Sequence, residues 1–243
     1  MDGIKKLLFT LALVIFTASA YAQITSGKII YERRTNLLKR YGDDERMSRF
    51  ITKDNKIKLD KFELIFSEDK SAYLPIESEE PEQGFMKYMT SHNSVYQDLQ
   101  KKEKLTVMDL WGTETFLKGP LEKREWKITE SKRNIAGYDC RKAIWNKNDS
   151  TRIYAWFSVD IVPSVGPEGF DGLPGAILGL ATEDGGIIYF AKEVKALIPN
   201  ETRLTIDTGK NDVYSKQELR VILEEKMGKW MKPKDFDVMF SWL

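Results

Sequence analysis

Lys56-Ile57-Lys58-Leu59-Asp60-Lys61-Phe62-Glu63-Leu64-Ile65-Phe66, then Ser67-Glu68-Asp69-Lys70, then Ser71-Ala72-Tyr73-Leu74-Pro75-Ile76, is the stretch on which the fold turns. Apolar residues recur at every second position, which is the period of a strand and not of a helix. The polar tetrapeptide between the two runs is turn chemistry, so the pair reads as two strands joined by a tight connection. In the first run Ile57 and Leu59 share one parity, and Phe62, Leu64 and Phe66 share the other. The apolar face therefore changes near Asp60-Lys61, and the spacing predicts a bulge there.

The same period extends in both directions. Upstream, Gly27–Arg33 and Met47–Thr52 read as strands, with Asp54-Asn55 as a turn before Lys56. Downstream, Ser78–Gly84 (SEEPEQG) is an acidic, solvated loop. Ser94–Leu99, Leu105–Leu110 and Thr113–Leu117 follow as hairpin-linked strands, with Gly112 at a turn. Trp126–Thr129, Asp139–Trp145 and Ile153–Phe157 continue the series, Asp184-Gly185-Gly186 turns into Ile187–Val194, and Thr202–Ile206 reads as a last strand. Strands at such short intervals favour antiparallel pairing over βαβ units. Near the end, Ser215-x-x-Glu218 is a capping box for a helix over Lys216–Lys226, with Leu219, Ile222 and Leu223 on one face and Gly228 as its stop. Pro233–Leu243 reads as a second short helical turn. The fold expected is mainly β: a curved antiparallel sheet or incomplete barrel with a C-terminal helix packed on it. No linker and no repeat divides residues 23–243, so one domain is expected.

Composition narrows the function classes. The chain has 243 residues, 38 Lys+Arg against 37 Asp+Glu, one His and one Cys. That balance leaves no broad cationic footprint for nucleic acid. One Cys excludes an internal disulfide, a Cys-based zinc site and an iron–sulfur cluster, and one His argues against a His-rich metal site. No cofactor is implied.

Residues 1–22 read as a secretory signal peptide. Lys5 and Lys6 precede the apolar run Leu7–Ala18, and Ala20-Tyr21-Ala22 supplies an A-x-A cleavage site before Gln23. The run is shorter than the ~20 residues that span a bilayer. Cleavage removes Lys5, Lys6 and Asp2, and leaves 36 basic and 36 acidic residues. The mature chain is thus expected in the periplasm or on the periplasmic face of an outer membrane, with no membrane span.

Asp160–Leu180, DIVPSVGPEGFDGLPGAILGL, departs from the alternation. It holds three Pro (163, 167, 174) and five Gly (166, 169, 172, 175, 179). Pro fixes φ and Gly admits positive φ, so the segment takes a pre-set path. Its apolar members, Ile161, Phe170, Leu173 and Ile177 among them, are too many for a solvated loop. It reads either as a packed crossover or as the lip of a binding site. It lacks both phosphate-loop patterns.

Here the residues resemble a known family. Gly172-Leu173-Pro174-Gly175-Ala176-Ile177 is similar to the signature hexapeptide of the GLPGLI family of exported proteins of Gram-negative bacteria. Trp126-Lys127-Ile128-Thr129, Ile135-x-Gly137-Tyr138-x-Cys140-x-Lys142-Ala143, Ala155-Trp156-Phe157 and Ile161-x-x-x-x-Gly166-Pro167 resemble its other blocks, in the same order. Ala176 stands where the family usually has Leu, Val162-Pro163 shifts the usual Ile-Pro by one, and Ser150-Thr151-Arg152 stands where a Gly-Arg is usual. The resemblance implies export and a β-rich fold and attaches no activity.

Catalytic constellations are sparse. A Ser–His–Asp triad would need His92, which reads as an exposed turn residue. Cys140 reads as a buried small hydrophobe. Among the acids, Asp171, just before Gly172 within the Gly/Pro segment, and the Glu183-Asp184 pair that flanks the segment are the least arbitrary candidates. Aromatic residues are the richer resource. Trp126, Tyr138, Trp156 and Phe170, with Leu173, Pro174 and Ile177 of the loop, form the candidate binding set. The function expected is therefore a non-catalytic exported binding protein that takes an apolar small molecule or an outer-membrane or periplasmic protein. An accessory of outer-membrane machinery is the alternative, and an envelope hydrolase the more distant one.

Overall fold

The computed structural model describes residues 23–78, 84–148 and 151–240. The expected signal peptide and residues 79–83 of the acidic loop lie outside the described residues. Among the described residues, twelve strands form one sheet: β1 (Gly27–Asn36), β2 (Ile57–Phe66), β3 (Lys70–Ile76), β4 (Ser94–Asp98), β5 (Glu103–Leu110), β6 (Thr113–Pro120), β7 (Lys127–Ile135), β8 (Tyr138–Asn148), β9 (Thr151–Ser158), β10 (Ala176–Thr182), β11 (Ile187–Ala196) and β12 (Val213–Tyr214). Their order is β12-β6-β5-β4-β3-β2-β1-β11-β10-β9-β8-β7. All neighbours are antiparallel except β12, which pairs parallel with β6. The sheet does not close; β7 and β12 are its edges. This is the mainly β architecture that the alternation predicts.

One face of the sheet carries the main core. Val95 on β4 and Trp145 on β8 are far apart in the strand order, yet they belong to one apolar cluster with Tyr31, Phe62, Tyr73, Phe157 and Tyr189. The sheet therefore curls around that cluster, and we call this side the inner face. Helices α1 (Leu37–Tyr41) and α2 (Glu45–Ser48) follow β1. At the other end, α3 (Lys216–Met227) and α4 (Pro233–Met239) lay Leu219, Leu223, Phe236 and Phe240 on Met108 of β5 and Leu117 of β6. The capping box at α3 forms as its sequence dictates: Ser215 Oγ accepts from the Glu218 amide at 3.2 Å, and Glu218 accepts from the Ser215 amide at 2.8 Å.

Three expectations are corrected. Met47–Thr52 is not a strand. Asp44 accepts from the Arg46 amide and starts the short helix α2, an N-cap that outweighs the local alternation. Thr202–Ile206 is not a strand either, because Asn200 caps a 3-10 turn over Glu201–Arg203 and drops Leu204 onto Ile65 and Ala72. The bulge near Asp60-Lys61 is absent. β1 and β2 pair without a break from Gly27↔Phe66 to Asn36↔Ile57. The buried face of β2 is Lys58, Asp60, Phe62, Leu64 and Phe66, while Leu59 is 59% exposed. Hydropathy assigned the first half of this strand to the wrong side because charged residues occupy its interior.

Candidate functional site

The inner face carries two buried ionic clusters, and the Gly/Pro segment lies across both. Arg33 on β1 faces Asp60 on β2 and Tyr189 on β11 in register. Its guanidinium donates from Nη2 and Nε to Asp60 Oδ2 at 2.7 and 3.1 Å, and sits 4.7 Å above the Phe62 ring. Its Nη1 lies 3.4 Å from Glu168 Oε1, which also accepts from the Tyr189 hydroxyl at 2.8 Å. Asp60 Oδ1 meets His92 Nε2 at 2.9 Å and has Lys58 Nζ at 3.9 Å. Phe62 stacks on Tyr73 and is faced by the His92 ring.

Environment separates the two carboxylates. Burial works against charge on Asp60, but the bonds from His92 and Arg33 outweigh it and hold this carboxyl below the usual range. Burial dominates at Glu168 and raises its carboxyl above the usual range despite Arg33. Burial would likewise discharge Arg33, but Tyr189, Asp60 and Glu168 keep it firmly protonated. Glu168 also has φ of 54°, a left-handed conformation unusual outside glycine. A strained residue with a fully buried charge persists only where its surroundings hold it, and the bonds to Arg33 and Tyr189 do so.

The second cluster is centred on Asp171. Arg124 donates from Nη1 to Asp171 at 2.8 Å and from Nη2 to Glu122 at 2.8 Å, and lies 4.4 Å above the Phe170 ring. Gln97 on β4 donates to Asp171 Oδ2 at 3.2 Å and to the Gly169 carbonyl at 3.1 Å, while Ser71 donates to Gln97. Trp126 Nε1 donates to the Asp171 carbonyl at 2.9 Å. Burial outweighs Arg124 at this carboxyl and raises it.

Backbone bonds complete the loop's path. Ala176 donates to the Ile161 carbonyl at 2.9 Å, Ile177 to Val165 at 2.8 Å, and Tyr31 Oη donates to the Ile177 carbonyl at 2.7 Å. Gly175, at φ 137°, passes so close to β9 that a Cβ would lie 2.0 Å from the Ser158 carbonyl oxygen. Up to Gly175 the segment is thus a plug on the inner face, clamped at Glu168 and at Asp171, and from Ala176 it runs on as β10 of the sheet, a strand the sequence reading left inside the Gly/Pro segment.

Of the sequence candidates, Trp126 and Phe170 come together, with ring centroids 6.4 Å apart and Trp145 beside both. Phe170, Leu173 and Ile177 are buried in the protein's own core, and Pro174 is exposed. Tyr138 packs partly buried near the β7–β8 turn. Trp156 alternates with Phe157 and points to the other side of the sheet, against Phe190 and beneath Arg133. His92 is at the surface as expected, but its ring is bonded to Asp60. Cys140 is buried, and burial, with Asp139, pushes its thiol up to about 12. Glu183 is engaged at the surface by Arg152 and Tyr154, and Asp184 shapes the β10–β11 turn. Arg33, Lys58, Asp60 and Glu168 escaped the sequence reading. Their one signal is parity: Arg33 shares it with Ile29 and Tyr31, and Lys58 and Asp60 share it with Phe62 and Leu64. Among the described residues, no group of three or more His, Cys, Asp or Glu is placed to hold a metal, and no helix is long and apolar enough to cross a membrane.

No family model and no curated protein matches this chain. Solved structures do. PNGF-II in one crystal form matches with a TM-score of 0.51 at 18% identity, over 78% of this chain and 30% of that one. In a second form it matches with a TM-score of 0.54 at 15% identity, over 82% of this chain and 33% of the other. The chain spans about a third of the length of the PNGF-II chains it matches, and the likeness is one of fold. The Pseudomonas aeruginosa MucA/MucB complex matches more distantly, with a TM-score of 0.38 at 10% identity over 80% of this chain and 59% of that one.

Proposed function

We propose that this chain is an exported, non-catalytic binding protein of the cell envelope, of the GLPGLI family that its sequence blocks resemble, and that its partner is another envelope protein. The plug carries this reading. Phe170, Leu173 and Ile177, which would have to line a site for an acyl chain, are already buried against the sheet. Two ionic clamps hold the plug there, so opening the inner face would expose charges that are paired only in the closed state. A partner must then be met on the outer face, where Leu59 is exposed. The buried, high-pKa thiol of Cys140 also disfavours covalent catalysis by that residue. Native mass spectrometry of protein extracted gently from the envelope, with photo-crosslinking from position 59 in cells, tests the reading. The expected result is a polypeptide free of acyl-chain cargo and a discrete crosslinked envelope protein. A retained acyl compound would instead favour the apolar small molecule as the ligand, and absence of any adduct would remove the partner.

A further inference from the structure

The turn between α3 and α4 carries the run Lys226-Met227-Gly228-Lys229-Trp230-Met231-Lys232-Pro233-Lys234, with four lysines and no acid. Its path is fixed by its own backbone. The Gly228 amide donates to the Glu224 carbonyl at 2.9 Å, and the Trp230 and Met231 amides both donate to the Met227 carbonyl, at 2.8 and 2.9 Å. The Lys232 amide donates to the Asp235 carboxylate at 2.8 Å and so opens α4. Met227 and Met231 pack against the apolar cluster of Leu219, Leu223, Phe236 and Phe240. With the two methionines turned inward, Lys229, Trp230 and Lys232 face solvent, and Trp230 is 68% exposed.

Charge at this corner is unevenly satisfied. Asp235 is engaged by Arg46 of α2 at 3.0 Å, and Asp237 and Glu224 are both engaged by Arg220 at 2.8 Å. Arg46 also reaches the Trp230 carbonyl at 3.4 Å, which ties the turn to α2. Arginines thus hold these acids, while Lys226, Lys229 and Lys232 make no ion pair with any described residue. Two residues beyond α2, Phe50 is also exposed, with the Arg49 guanidinium 4.9 Å from its ring centre. An indole held outward on a fixed turn among unpaired ammonium groups has the make-up of a bilayer anchor: the ring suits the boundary between headgroups and chains, and the lysines suit lipid phosphates. Protein interfaces share the taste for Trp but are poor in Lys, so the lysines favour a lipid surface over a protein one.

We propose that the α3–α4 turn docks the protein on an anionic phospholipid bilayer, with Trp230 seated at headgroup level and Lys226, Lys229 and Lys232 meeting lipid phosphates. The docking is peripheral. α3 and α4 keep their apolar sides on Met108 of β5 and Leu117 of β6, so the turn alone enters the interface. The proposal does not depend on a protein partner at Leu59, and either can fail alone.

Co-sedimentation of the chain from Gln23 onward with vesicles of phosphatidylglycerol and phosphatidylethanolamine, and separately with vesicles of phosphatidylcholine, tests it. Binding to the anionic vesicles that weakens as salt is raised is expected, with little on phosphatidylcholine. Lys229→Gln and Lys232→Gln should each weaken binding about fivefold, the effect of one cation at such a surface. Trp230→Ala should weaken it at least about tenfold, and should remove most of the quenching of tryptophan emission by brominated lipid. All three residues are exposed, and a thermal melt of each variant checks its fold. No binding to the anionic vesicles, equal binding to both kinds, or binding unchanged in folded Trp230→Ala overturns the proposal. A photo-crosslink from position 230 to a protein, without vesicle binding, gives this corner to a protein partner and overturns it as well.

Discussion

Arg33 and Asp60 stand directly opposite each other on β1 and β2, both buried, joined by two bonds from one guanidinium to one carboxylate oxygen at 2.7 and 3.1 Å. Glu168 reaches the same guanidinium from a loop that is 135 residues away in sequence. The pairing therefore joins the first hairpin of the sheet to the segment that covers it.

Removing the cation leaves two buried carboxylates without their partner. Arg33→Met should cost about 3–5 kcal/mol, as loss of one member of a buried pair does. Arg33→Met combined with Asp60→Asn should cost less than the sum of the single changes. Urea unfolding of the three variants measures both quantities.

The two acids respond to pH in opposite senses. Asp60 is held below its ordinary value, so its contribution is present above the ordinary carboxylate range near pH 4 and is lost as pH falls through its lowered value. Glu168 is raised, so its contribution is present below that range and is lost as pH rises through its raised value. Glu168→Gln should therefore remove the part of the pH profile in which stability rises on mild acidification, and steepen the net loss in acid. Asp60→Asn should flatten that acid loss. Unfolding free energies measured across pH for the wild type and both variants check the signs.

The two glycines of the Gly172-Leu173-Pro174-Gly175 turn are not equivalent. A Cβ at Gly172 would meet Trp126 ring atoms at 3.5 Å, an ordinary contact, so Gly172→Ala bears only the strain of φ 87°. That strain is about 1–2 kcal/mol. Gly175→Ala adds a collision with the Ser158 carbonyl at 2.0 Å and should cost at least about 3 kcal/mol. Thermal melts of the two variants separate these outcomes.

Cys140 should behave as a core atom. With its thiol pushed up to about 12, a disulfide reagent at neutral pH should label native protein very slowly and denatured protein completely. Fast labelling of the native state would reopen thiol chemistry as a function.

Much of the fold was legible because alternation and turn chemistry act locally. Ten of the strands lie over segments whose side chains alternate, and the Ser215–Glu218 box alone specifies the start of α3. Elements decided by competition at a distance were not legible. Met47–Thr52 alternates, but it has a capping Asp44 and no strand beside it, and β12 exists only because β6 offers it an edge. The ionic clamps were hidden for a related reason. Hydropathy places Arg33, Lys58 and Asp60 outside, and only the pairing of β1 with β2 and the return of Glu168 make their burial affordable. The Gly/Pro segment was recognisable as a pre-set path, whereas its role as a plug follows from the two carboxylates that clamp it.

The central claim is that this segment is a permanent part of the interior, and hydrogen exchange at the amides of Ala176 and Ile177 tests it most directly. Both open β10 and donate back to the plug that precedes it, to the Ile161 and Val165 carbonyls at 2.9 and 2.8 Å. A clamped plug predicts that they exchange only through global unfolding, with protection equal to that of the β1 and β2 core amides and reduced in step with it by Arg33→Met. Exchange orders of magnitude faster than that core, in otherwise native protein, would show a lip that opens and would contradict the claim.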